Sequence, residues 1–295
     1  MINPWQGIYP ALLTPFDAEG NVNLRSLRAL VRLNLSKGVQ GFYVCGSTAE
    51  AFLLSDGQRR LILETVVEEA AGAARVIAHV GCISQRQAED LARHARQAGA
   101  DAVSAVPPFY YPFTAEDIRR YYSALADASS LPVLVYNIPG YTGVKLTVDD
   151  LRPLLEDARF LGVKHTSVDL YMLERLKGIR PDLTVYNGLD EMFLAGLSMG
   201  ADGGIGSTYN FMAEKFLRMR ALFEQGRMAD ALAIQRQVNN IVSALLSLGL
   251  MPAEKAALDL MGIPMGGCAK PFPELTAERR GELRRVLAEN GCEGL

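Results

Sequence analysis

The chain has 295 residues, 49% hydrophobic and 21% charged, which is ample for a large core and fits one α/β domain of barrel size. Its net charge of −3 and pI near 5.7 give no electrostatic basis for a nucleic-acid or membrane partner. The four cysteines (Cys45, Cys82, Cys268, Cys292) have no CxxC spacing and the three histidines (His79, His94, His165) form no HExxH or Cys/His cluster, so free thiols in a reducing cytoplasm are expected and a zinc site is not.

From the start, no Lys or Arg precedes Arg25, so the basic region of a signal peptide is missing. Gly7–Thr14 reads as an apolar strand; a turn at Asp17–Gly20 and a helix over Leu24–Lys37 follow. Gly41–Val44 is the second strand, ending in a Gly-Ser-Thr loop. Ser55-x-x-Gln58 is a capping-box pattern that opens a helix to about Ala71. Arg75–Val80 is strand three, and Ser84-x-x-Gln87 starts the next helix. Strand four, Ala102–Val106, stops at Pro107-Pro108; Thr114-x-x-Asp117 then starts a helix reaching about Ala128. Val133–Asn137 is strand five, and Thr147-x-x-Asp150 starts a short helix. The run from Phe160 to Ser167 is strand six, with Lys164 at its end. Leu183–Asn187 and Asp202–Ile205 are the last two strands. The uncharged stretch between Arg236 and Glu254 holds Gln237, Asn239, Asn240 and Pro252, and reads as a helix rather than a membrane span.

Strands alternating with helices predict a parallel sheet, and eight such repeats predict a closed (β/α)8 TIM barrel over residues 1–226. Residues 227–295 form a C-terminal helical extension packed on it as one structural unit. In such a barrel the chemistry sits where the strands end. Those ends carry Ser47 and Thr48, Tyr110 and Tyr111, Tyr136, Lys164 and Thr166, Gly188, Asp190 and Glu191, and Ser207. Taken singly, each has an ordinary explanation. Ser47 could cap a helix, the tyrosines could pack, and acids favour a helix start in any case. Lys164 changes the balance. A lysine buried at a strand end loses its charge readily, and a neutral amine can form a Schiff base with a ketone.

Further patterns carry a family resemblance over nearly the whole chain. Gly46-Ser47-Thr48-Ala49-Glu50, Tyr136-Asn137-Ile138-Pro139, Lys164 and Gly203-Gly204-Ile205-Gly206-Ser207 resemble the pyruvate-dependent Schiff-base aldolases. This is the family of dihydrodipicolinate synthase and N-acetylneuraminate lyase. Ala78–Cys82, Asp101–Val106, Pro108–Phe113, Tyr186–Glu191 and Gly206–Asn210 resemble its N-acetylneuraminate lyase branch more closely. Ala49 departs from the usual glycine, and His165 from a frequent glutamine.

The resemblance implies that Lys164 forms an imine with the 2-ketone of open-chain sialic acid. Cleavage then gives pyruvate and N-acetylmannosamine. Tyr136 would move the proton of the 4-hydroxyl, with Ser47 and a neighbouring subunit's Tyr110 as relay; a phenol alone is a poor base at neutral pH. Ser47 and Thr48 would hold the carboxylate. Thr166, Gly188, Asp190, Glu191 and Ser207 would hold the sugar hydroxyls. No metal or organic cofactor is implied, and the expected assembly is a homotetramer in the cytoplasm. Dihydrodipicolinate synthase usually carries an arginine five residues after its catalytic tyrosine; here that position is Tyr141, with Lys145 nearby. Other readings remain: another aldolase of the family, such as a synthase of that type or a 2-keto-3-deoxy sugar acid aldolase, or a non-catalytic sugar- or pyruvate-binding barrel. Gly196-Leu197-Ser198-Met199-Gly200 matches a serine-hydrolase elbow, but no histidine follows Ser198, which is therefore expected on a helix.

Overall fold

Eight strands alternate with helices as the apolar runs predict, in a computed structural model that describes residues 3–292. In order they are β1 (Gly7–Pro10), α1 (Leu24–Lys37), β2 (Gly41–Val44), α2 (Asp56–Ala70), β3 (Arg75–His79), α3 (Gln85–Ala98), β4 (Ala102–Ala105), α4 (Ala115–Ser129), β5 (Val133–Asn137) and the single turn α5 (Pro139–Thr142). Then come α6 (Val148–Leu155), β6 (Phe160–His165), α7 (Leu170–Lys177), β7 (Thr184–Asn187), α8 (Phe193–Ser198), β8 (Gly203–Gly206) and α9 (Tyr209–Glu224). The C-terminal helices are α10 (Met228–Leu248), α11 (Leu250–Leu260) and α12 (Ala277–Glu289). Ser55, Thr114 and Thr147 close full capping boxes at the starts of α2, α4 and α6.

All strands pair in parallel, in the order β1-β8-β7-β6-β5-β4-β3-β2. The ring closes between β1 and β2, where the Gln40 amide donates to Ile8 O (3.1 Å) and the Leu12 amide to Tyr43 O (2.9 Å). β1 is shorter than its apolar run. Beyond Ala11 the chain leaves the ladder: the Leu13 amide donates to Asn210 Oδ1 and Thr14 Oγ1 donates to Ala49 O. Alternate side chains fill two layers. Tyr9, Tyr43, Ile77, Leu134, Leu161, Tyr186 and Ile205 fill the barrel. Ile8, Phe42, Val103, Val133, Val135, Val163 and Val185 pack outward under the helices, in a cluster that also takes Val238, Ile241, Leu245 and Leu283 of the C-terminal helices. Each such burial is worth about 1.5–3 kcal/mol.

One irregularity decides where the lysine points. The pairing of β5 with β6 slips between Val133 and Leu134, so Phe160 faces Val133 but Gly162 faces Leu134. Leu161 is thus an extra residue, a bulge of the kind that re-aims the side chains after it. Leu161 lies inside the barrel and Val163 outside, and Lys164 opposite Tyr136 turns inward again. Gly162 makes this turn feasible. Its φ is +152°, and a Cβ there would sit 1.7 Å from Thr184 O.

The uncharged stretch from 236 to 254 is not one helix. It spans the end of α10 and the start of α11, which meet at Gly249 at 117°. Among the described residues no single helix is long and apolar enough to cross a membrane. Ser198 ends α8 and its hydroxyl donates back to Leu194 O (3.0 Å), as expected for a helical serine.

Candidate active site

A cavity of about 560 Å³ opens at the C-terminal ends of the strands, beneath Gly249–Pro252 of α11 and its approach. Lys164 reaches it from β6 and is buried, 4% exposed. Its Nζ lies 4.0 Å from the ring centre of Tyr136 and 4.2 Å from that of Tyr43. These aromatic faces favour an ammonium, and Asp190 adds to that. Burial outweighs both and brings the amine down to about 7. At neutral pH a large share of it is unprotonated, which nucleophilic attack requires.

Tyr136 stands on β5 opposite Lys164 in register. Burial pushes its phenol up to about 12, opposed by the Ser47 and Thr166 hydroxyls. The ring is held by aromatic neighbours. Tyr43 meets it edge-on at 5.8 Å and His79 at 6.0 Å. Tyr43 OH is paired with Ser104 Oγ (3.0 Å). His79 lies between Cys45 O, which accepts from Nδ1 (2.9 Å), and the Val106 amide, which donates to Nε2 (3.2 Å). Those partners fix one neutral tautomer, and burial holds the imidazole well below its ordinary value.

Ser47 and Thr48 come from a tight turn after β2 and line the same cavity. The Ala49 and Glu50 amides close that turn on Gly46 O and Ser47 O, bonds that leave the Ser47 and Thr48 N–H groups unused. Ala49 is buried behind them. The turn is tied to α11 by a buried ion pair, Glu50 Oε1 to Lys255 Nζ at 2.7 Å, and by the Ala269 amide donating to Glu50 Oε2 (2.6 Å).

Thr166, Gly188, Asp190, Glu191 and Ser207 form the other side of the cavity. The absence of a Cβ at Gly188 makes room for Thr166 Oγ1, which would otherwise lie 1.9 Å from it. The Thr166 hydroxyl faces the Tyr136 phenol across the cavity. Asp190 Oδ2 accepts from the Thr208 amide (2.8 Å) and hydroxyl (2.6 Å), while Oδ1 is buried without a partner among the described residues. Burial raises this carboxyl to about 6, against the pull of Thr208. Ser207 Oγ donates to Glu254 Oε1 at 2.5 Å.

Nine of the ten residues expected at the site therefore meet on one cavity: Ser47, Thr48, Tyr136, Lys164, Thr166, Gly188, Asp190, Glu191 and Ser207. Tyr110 does not. It is 82% exposed with φ +79°, on a separate face that it shares with Lys145. His165 points away from the barrel interior: Asn137 Nδ2 donates to its Nδ1 (3.1 Å), and its Nε2 donates to Asp169 O (2.9 Å). Tyr141 lines the cavity mouth, whereas Lys145 does not reach it. Pattern reading did not find Tyr43 or Glu254, and it put Thr208 at the rim after strand eight without a role. Tyr43 is an apolar-strand residue like its neighbours, and Glu254 lies far along the chain from any strand end.

Residues 4–290 match the dihydrodipicolinate synthetase family. The chain is 43% identical to an N-acetylneuraminate lyase of Citrobacter koseri over 98% of each chain. It is 42% identical to one of Rhizobium meliloti over 96% of this chain and 94% of that one. Among solved structures it resembles CdNal from Clostridium difficile, determined in complex with mannosamine (TM-score 0.94, 35% identity, 97% of this chain and 99% of that one). It also resembles the sialic acid aldolase of Ruminococcus gnavus, solved as a catalytic lysine mutant (TM-score 0.95, 31% identity, 100% and 99%).

Proposed function

The chain belongs to the dihydrodipicolinate synthetase family and is a carbon–carbon lyase of the aldolase type, and on that premise we propose that it cleaves N-acetylneuraminate to N-acetylmannosamine and pyruvate. The observation that carries the proposal is Lys164: a buried amine brought down to about 7, between two tyrosine rings, on a cavity whose other side is acidic and hydroxyl-bearing.

In this proposal the Lys164 amine attacks the 2-ketone of the open-chain sugar acid and water leaves, giving a protonated imine. The iminium accepts the electron pair of the C3–C4 bond as Tyr136 takes the proton of the 4-hydroxyl. The aldehyde of N-acetylmannosamine departs. The enamine left on Lys164 is protonated at C3, and water hydrolyses the imine to pyruvate. A phenol pushed up to about 12 is a weak base in its resting state, so its proton must move on through a relay. Ser47 is the relay group on this chain, and the Ser47–Thr48 turn holds the substrate carboxylate. Thr166, Gly188, Asp190, Glu191 and Ser207 receive the sugar hydroxyls. The imine on Lys164 supplies the electron sink, so the proposal assigns no metal or cofactor.

Tyr110 enters from a second copy. Its exposed, preset ring and an apolar pocket of about 450 Å³ beside Ser47, lined by Phe52, Phe109 and Ile138, support an association of at least two copies, which the family resemblance extends to a homotetramer. The proposal also puts the protein in the cytoplasm, in keeping with free thiols at Cys45, Cys82 and Cys268. The direct test is pyruvate release from N-acetylneuraminate, with borohydride added in parallel to pyruvate and enzyme. Release, and a reduced adduct on Lys164, are expected. No adduct, or an adduct on another lysine, removes the Schiff-base mechanism.

A further inference from the structure

Glu254 lies outside the machinery described so far. It is fully buried on α11, accepts the Ser207 hydroxyl proton at Oε1, and among the described residues has no partner for Oε2. The groups around it are Ser207 after β8, Asp190 after β7, Tyr141 after β5, and Cys268 with the Lys255–Glu50 pair beyond. Burial pushes this carboxyl up to about 8; Ser207 pulls it down and the charge of Asp190 raises it further.

An acid buried on a single hydrogen bond costs the fold free energy. An apolar side chain would fill the same space at lower cost, so stability is not what the carboxyl supplies. Among the described residues its one hydrogen-bond partner, Ser207, leads to the cavity. Glu254 Oε1 accepts whether the carboxyl is ionised or carries its own proton on Oε2, so Ser207, its hydroxyl proton given to Glu254, offers only lone pairs to a ligand. Beside it lie the unpaired Oδ1 of Asp190 and the carboxyl of Glu191. This end of the cavity is therefore a cluster of acceptors.

We infer that Glu254 is a positioning residue that sets the polarity of Ser207, so that the distal end of the cavity selects tails rich in hydroxyl donors and rejects a tail ending in an acceptor such as a carboxylate. The inference rests on the lyase reading for the identity of the tail, a polyol.

The test compares wild type, Glu254→Leu and Glu254→Gln, by KM and kcat for N-acetylneuraminate, inhibition by pyruvate, and melting temperature. Glu254→Leu should raise KM about three- to tenfold, the worth of one hydrogen bond, with kcat and pyruvate inhibition little changed. Its melting temperature should equal or exceed that of the wild type. Glu254→Gln still offers Ser207 an acceptor and should recover most of the lost KM. In a Ser207→Ala background, Glu254→Gln should have no further effect, a comparison that holds even if Glu254→Leu does not fold. A lowered melting temperature with unchanged KM would make Glu254 structural and overturn the inference. So would an equal loss of pyruvate affinity, or an added effect of Glu254→Gln without Ser207. Failure of the wild type to cleave N-acetylneuraminate would overturn the lyase reading instead.

Discussion

At the scale of single residues, two groups control the proposed chemistry, and both can be titrated or removed. Lys164 is held at about 7, against an ordinary value of 10.5. Capture of pyruvate, read as the rate of borohydride trapping, should rise with pH up to about 7 and then level off; a rate that begins to rise only above pH 9 would contradict the depressed amine. Stability follows the same shift. Between about 7 and 10.5 the unfolded chain binds a proton that the folded chain does not, so the fold gains stability as pH rises. Lys164→Met should flatten that dependence and be more stable than wild type at pH 6, as measured by denaturant midpoints. Tyr136→Phe should still form the pyruvate adduct while cleavage falls about two to four orders of magnitude. Near-normal turnover would take Tyr136 out of the proton path. Much of this was legible in the amino-acid order, because Lys164, Tyr136, Ser47 and the acidic pair sit at strand ends. Tyr43 was not, since nothing in Gly41–Val44 distinguishes a tyrosine that faces the lysine from one that fills a core.

At the scale of elements, α11 does two jobs. It lies over the cavity, and Lys255 anchors the turn that carries Ser47 and Thr48 through its buried pair with Glu50. Removing one partner of a buried pair strands the other charge. Lys255→Met should therefore destabilise the protein by about 3–5 kcal/mol. It should also weaken pyruvate binding, because the turn loses its tether; a variant of wild-type stability in a urea titration would count against this. Sequence patterning located the strands and the capped helices to within a few residues, because capping boxes and apolar runs are local signals. It did not resolve the corner at Gly249. A glycine between two apolar helical stretches reads as one helix until packing bends it.

For the whole molecule, the cavity's character argues for one branch of the family over the other. Among the described residues that line the cavity none is an arginine; Tyr141 stands there, and Lys145 opens on another face. The opposite wall is acidic. A substrate with a second carboxylate meets acceptors, whereas a polyol meets partners. Cleavage of N-acetylneuraminate should be at least about tenfold more efficient than condensation of pyruvate with aspartate semialdehyde, roughly 1.4 kcal/mol in the transition state. Competing kcat/KM measurements decide it, and equal use of aspartate semialdehyde would leave only the aldolase class standing. The overall barrel was readable from eight repeats of strand and helix. The family resemblance assigned the relay tyrosine to a neighbouring subunit, and Tyr110 lies away from the cavity of its own chain.

The extra residue in β6 has a genetic consequence. Apolar patterning would tolerate a strand one codon shorter, with Phe160 and Val163 still available to the outer layer. Deleting Gly162 should thus leave Phe160 outward, Leu161 inward, Val163 outward and Lys164 still inward, so pyruvate should still be trapped by a chain of near-wild-type circular dichroism. Gly162→Val keeps the length but cannot hold the bulge, because its Cβ would meet Thr184 O; a regular strand of that length turns the amine toward the helices, and no trapped pyruvate is the expected phenotype. The identity of that codon, more than its presence, would then mark the boundary between a scaffold and an enzyme.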